Sequence, residues 1–136
     1  MSTFDGNFIK DCFLEFARDR GLSVQEKPDG KVSFSMRGID MAFVADGRDS
    51  SLFKIVVMNV AHVAQYGDDT ELFVNHLNTK FKLVKTFILR GMICMSIDQL
   101  VYSPMFIDRL FARAVRTMVE VVSFCREHKV VNVLEM

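Results

Sequence analysis

Between Thr70 and Cys125 the hydrophobic period changes twice, and this limits the folds open to the chain more than any other feature. Leu72, Phe73, Leu77 and Phe81 recur at helical spacing, with Asp69 or Thr70 placed to cap the first turn. From Lys82 to Arg90 and from Met92 to Leu100 the period is two, broken at Arg90-Gly91, which predicts a hairpin. One hairpin face carries Leu83, Lys85, Phe87 and Leu89, the other Val84, Thr86, Ile88 and Arg90. Ser103 then offers a capping hydroxyl and Pro104 a first-turn residue that needs no amide hydrogen, so a long helix is expected from there to about Arg126.

Upstream, Phe4, Phe8, Ile9, Cys12, Phe13, Phe16 and Ala17 form the apolar side of a first helix. Ser2 or Thr3 can cap its start, and Gly21 sits where a left-handed residue ends it. Leu22 and Val24 then alternate with polar neighbours, Pro28-Asp29-Gly30 makes a turn, and Val32, Phe34 and Met36 alternate with Ser33, Ser35 and Arg37. Gly38 marks a bulge or a tight turn before Ile39, Met41 and Phe43, and Gly47-Arg48-Asp49-Ser50 closes that strand. The nearly continuous apolar run from Leu52 to Val60 predicts a central strand covered on both faces. Gln65 to Asp69 is a polar connecting turn. The fold class is therefore α+β: an antiparallel sheet of about five to six strands with flanking helices, in the order helix, strand meander, helix, hairpin, helix. With 136 residues, half of them apolar, the expectation is a single domain over residues 1–136.

The last helix carries more apolar surface than one contact needs. At about 100° per residue, Phe106, Ile107, Leu110, Phe111, Ala114, Val115, Met118, Val119, Val121, Val122 and Cys125 cover over half of its circumference. A helix on a sheet uses a stripe only somewhat wider than about 100°, so a second neighbour is expected, either the first helix or another subunit. On this ground the chain is expected to be a homodimer.

Chemistry-bearing patterns are sparse. Lys plus Arg and Asp plus Glu both number 17, so no net field favours nucleic acid or an anionic membrane. The 13 Phe fall on core faces instead of beside a basic groove, which further disfavours base stacking. An acid near the amino terminus and the absence of any apolar run of roughly 20 residues favour a soluble, cytoplasmic chain. Cys12, Cys94 and Cys125 fit buried thiols in a reducing compartment. His62, His76 and His128 fall in separate elements without metal-ligand spacing. The seven glycines are isolated, so no phosphate loop is present. No catalytic, cofactor-binding or metal-binding residue is assigned.

One charge pattern has shape: Arg109, Arg113 and Arg116 share one side of the last helix, with Glu120 one turn later. They are the candidate docking residues for an acidic partner or a phosphate group, against the alternative of a solvated face with Arg116 paired to Glu120. The nine Met residues suit either core gap-filling or an adaptable binding surface. A second functional reading is a small-ligand or enzymatic pocket between sheet and helices near His62, His76 or Cys94.

The stretch Leu72-Phe73-Val74-Asn75-His76-Leu77-Asn78, the hairpin from Lys82 to Leu100 and the helix start Leu100-Val101-Tyr102-Ser103-Pro104 resemble the YbjN-like family of bacterial sensory transduction regulators, within the type III secretion chaperone-like fold. Pro28-Asp29-Gly30 and Arg37-Gly38-Ile39 fall where that family has turns. The resemblance implies a noncatalytic, dimeric protein-interaction domain, chaperone-like or regulatory, acting through a polypeptide partner. Secretion chaperones of this fold are acidic, whereas this chain is charge-balanced.

Overall fold

The computed structural model describes residues 6–45 and 51–127. Its elements are α1 (Gly6–Asp19), β1 (Val24–Glu26), β2 (Val32–Met36), β3 (Ile39–Ala45), β4 (Leu52–His62), α2 (Thr70–Lys80), β5 (Lys85–Leu89), β6 (Met92–Leu100) and α3 (Ile107–Glu127). The six strands form one antiparallel sheet in the order β1-β2-β3-β4-β6-β5. This is the α+β architecture expected. The caps suggested at Ser2 or Thr3 and the turn at Gly47 to Ser50 lie outside the described residues.

Strand alternation decides which side of the sheet is covered. Val32, Phe34, Met41, Phe43, Phe53, Ile55, Val57, Ile93, Met95 and Ile97 belong to one buried cluster with Ile9, Phe13 and Phe16 of α1, Phe73 and Leu77 of α2, and most of the apolar face of α3. All three helices therefore pack on one side, while Ser33, Ala42, Val56 and Ser96 line up on the other. β4 is central, between β3 and β6, but among the described residues it is covered by helices on one face only. Leu52, Lys54 and Val56 remain half-buried and Met58 is exposed, because none of the described helices crosses that side.

The aromatic core is centred on Phe13, whose ring stacks on Phe43 at 4.2 Å. Phe111 meets Phe13, Phe16, Phe43 and Phe53 at centroid distances of 5.0–5.8 Å. The surplus apolar surface of α3 is thus used within the chain: the sheet takes one part, α1 another, and the end of α2 a third through the edge-on pair Phe81 and Phe124. Of the two neighbours expected for that surface, the first helix is the one found.

Local chemistry shifts several boundaries. Arg37-Gly38 and Arg90-Gly91 have positive φ at both positions, the two-residue turn whose twist suits a hairpin, so Gly38 marks a tight turn and no bulge. The bulge occurs in β4 instead, where the register jumps between Val57 and Ala61 and leaves Met58, Asn59 and Val60 opposite Cys94. Arg126, in the last turn of α3, donates to the freed carbonyls of Asn59 and Val60 at 3.1 and 3.4 Å. Helix α3 starts at Ile107 and not at Pro104, because the Ser103 hydroxyl accepts from the Met105 N–H and Phe106 adopts φ 68°. Neither Asp69 nor Thr70 caps α2 with its side chain; the Thr70 hydroxyl donates back to the Gly67 carbonyl at 2.7 Å. Among the described residues, no helix is long and apolar enough to cross a membrane.

Candidate functional site

Three elements meet at one end of the helical layer and leave an open groove. The last turn of α1 contributes Phe16 and, just beyond the helix, Arg20; β2 ends with Met36 and passes into the turn at Arg37. From α3 come Ala112, Val115, Arg116, Val119 and Glu120, which follow one another at helical spacing. The groove encloses about 230 Å³. Its floor is apolar, with Phe16, Val115 and Val119 buried and Met36 and Ala112 half-buried. Its rim is cationic: Arg20, Arg37 and Arg116 are all exposed, against the single carboxylate of Glu120.

The rim cations are held by different means. The Arg20 guanidinium lies 4.0 Å from the centroid of the Phe16 ring, a cation–π contact that also narrows its rotamer freedom. Arg37 is set by a hairpin turn in which it adopts φ 53°, so backbone geometry fixes where its side chain leaves the sheet. Arg116 projects from the middle of a 21-residue helix. Among the described residues, none of the three lies within ion-pair distance of a carboxylate, and Arg116 does not pair with Glu120. The expected solvated pair is thus not formed.

The arginine stripe read from the sequence is divided by its surroundings. Arg109 turns back to Phe106, 5.0 Å from the ring centroid. Arg113 leans toward the sheet and donates to Gln99 Oε1 at 2.8 Å. Only Arg116 enters the groove, where its companions come from distant parts of the chain. Arg20 and Arg37 escaped the sequence reading because each stands next to a structural glycine, Gly21 or Gly38, and looked like turn punctuation.

The residues suggested for a small-ligand pocket do not line this groove. His62 is exposed at the end of β4, and His76 is half-buried on α2 with no hydrogen-bond partner for Nε2. His128 lies outside the described residues. Cys94 is buried on the side of the sheet away from the helices, and its Sγ donates to the Met58 carbonyl at 3.2 Å. Burial pushes the thiols of Cys94 and Cys125 up, the latter to about 12, and burial followed by Asp108, Glu15 and Asp11 raises Cys12. Each shift lowers the thiolate fraction on which nucleophilicity depends. Among the described residues, no three His, Cys, Asp or Glu side chains converge to hold a metal ion.

What the arrangement can do chemically is bind. An apolar floor with a cationic rim suits a group that is itself apolar and flanked by negative charge. Comparison with known proteins adds no assignment: no family model, curated protein or solved structure matches the chain.

Proposed function

We propose that this chain is a noncatalytic protein-interaction module, chaperone-like or regulatory in the manner of the YbjN-like proteins, and that it works in the cytoplasm. It engages a segment of another polypeptide in the groove between α1 and α3. The observation that carries this reading is the groove itself, an apolar floor ringed by three arginines that have no internal carboxylate partner among the described residues.

The reading includes a homodimer, by a route other than the one suggested by the sequence. With the apolar surface of α3 used inside the chain, the contact falls to the uncovered side of the sheet, where Val44, Val56, Phe87 and Met58 range from half-buried to exposed. Light scattering that gives the monomer mass at high micromolar concentration removes the dimer and leaves the groove untouched.

The groove is tested by photo-crosslinking. A photoreactive amino acid replaces Ala112 on the groove floor, and Asn75, exposed on α2 and outside both the groove and the uncovered face of the sheet, serves as the control position. After irradiation in native lysate, polypeptide adducts are expected at position 112 well above those at position 75. Equal yields at both positions overturn the assignment of the groove.

A further inference from the structure

We infer that the segment bound in this groove is acidic: one aliphatic or aromatic side chain enters the floor, and Asp or Glu residues flanking it engage Arg20, Arg37 and Arg116. This rests on the protein-binding reading above and names the chemistry of the partner.

Size is the first argument. The groove holds about 230 Å³, whereas pockets that enclose whole small ligands start at roughly 300 Å³. It admits one large side chain and leaves the rest of its owner outside, which is how a peptide binds and a compact metabolite does not. The floor of Phe16, Met36, Val115 and Val119 offers no hydrogen-bonding side chain, so the inserted group is apolar.

Charge is the second argument. The whole chain carries as many acids as bases, 17 of each, yet this rim gathers three guanidinium groups around one carboxylate. Guanidinium presents a planar fork that matches a carboxylate in two-point contact, and among the described residues no ion pair has to be broken here before a partner's carboxylate can approach. One of the cations is partly ordered beforehand, Arg20 by its contact with the Phe16 ring, which lowers the entropy lost on binding. Glu120 sits at the same groove and repels acid, so the carboxylates of the segment are directed toward the arginines and away from it.

The test is a selection from a randomised peptide display library, run against the native protein and against the triple variant Arg20→Gln, Arg37→Gln, Arg116→Gln. The native protein is expected to enrich peptides with Asp or Glu on one or both sides of an aliphatic or aromatic residue. The best of these, made synthetically with a fluorophore, should bind about tenfold to a hundredfold more weakly to the triple variant, since exposed ion pairs each contribute modestly. Added salt should weaken it likewise. Ala112→Glu, which puts a carboxylate on the floor, should abolish binding and serves if the triple variant does not fold. Enrichment of neutral or basic peptides, or equal affinity for the native and variant proteins, overturns the acidic segment while leaving polypeptide binding in place. Sodium dodecanoate binding the groove where no selected peptide does overturns the peptide as occupant. A selection that enriches no peptide overturns the protein-binding reading itself.

Discussion

Asn78 closes the outer edge of β5, and its removal should have a cost that can be worked out bond by bond. Strand β5 pairs with β6 on one side only, so every second residue turns its backbone groups outward. At Thr86 both outward groups are met by one side chain: the Thr86 N–H donates to Asn78 Oδ1 at 2.7 Å, and Asn78 Nδ2 donates to the Thr86 carbonyl at 2.9 Å. Thr86 is only 3% exposed, so water replaces these bonds poorly. With a net value of about 0.5–1.5 kcal/mol for each bond, Asn78→Ala should cost about 2 kcal/mol. That is a sizeable part of the ~5–15 kcal/mol that holds a domain together.

Asn78→Asp separates the two bonds. The introduced carboxylate still accepts from the Thr86 N–H but faces the Thr86 carbonyl with no hydrogen to donate. Only the protonated acid restores both bonds, so the folded-state pKa of that group lies above the ordinary carboxylate value of about 3.9. The stabilisation is therefore complete at pH below that ordinary value and is lost as pH rises through the raised one. Urea unfolding followed by circular dichroism should show Asn78→Asp approaching the native chain in acid, and Asn78→Ala not doing so. Hydrogen exchange of the Thr86 amide should accelerate in Asn78→Ala. An Asn78→Ala protein within about 0.5 kcal/mol of native, below what even a single such bond contributes, with unchanged Thr86 exchange, would show that this edge is not held as described.

Two other perturbations follow from the packing. The Cys125 thiol, pushed up from 9.0 to about 12 by burial, favours the neutral form in the folded state, so its contribution is complete below pH 9 and is lost as pH rises toward about 12; urea midpoints taken across that range should fall less steeply in Cys125→Ala. Phe106 holds φ 68° while 60% exposed, so Phe106→Gly should exceed Phe106→Val in stability by about 1–2 kcal/mol, the usual cost of left-handed backbone for a side chain with a Cβ; equal urea midpoints for the two would refute strain at this position.

Periodicity in the sequence was enough to recover the helices and the hairpins. It divided the second hairpin into two faces without choosing the buried one; the structure buries Val84 and Thr86, and β5 begins at Lys85 and not at Lys82. The turn glycines were legible because each follows directly from a backbone need: Gly38 and Gly91 close two-residue turns with positive φ. The late start of α3 was not legible, since Ser103-Pro104 is as good a local helix opening as the one used. The Leu77-Asn78 helix end was recognisable as a motif, but its purpose was not, because the strand it serves comes later in the chain and meets it only in space. Burial of β4 was overestimated for a similar reason: a run of apolar residues reports a strand with neighbours on both sides, and does not report whether a helix lies above each face.

The candidate site marks the same boundary. Arg109, Arg113 and Arg116 lie within one stripe by helical geometry, and that much follows from spacing alone. Which of them share a site depends on what stands beside each one: the Phe106 ring, Gln99 at the end of β6, or the junction with α1 and the turn at Arg37. Hydrophobic period is a local property, set by the residues within a turn or two, so the order and type of the elements can be read along the chain. The meeting of Arg20, Arg37 and Arg116 over an apolar floor depends on strand register and on how two distant helices pack. Those are long-range properties that no local pattern carries.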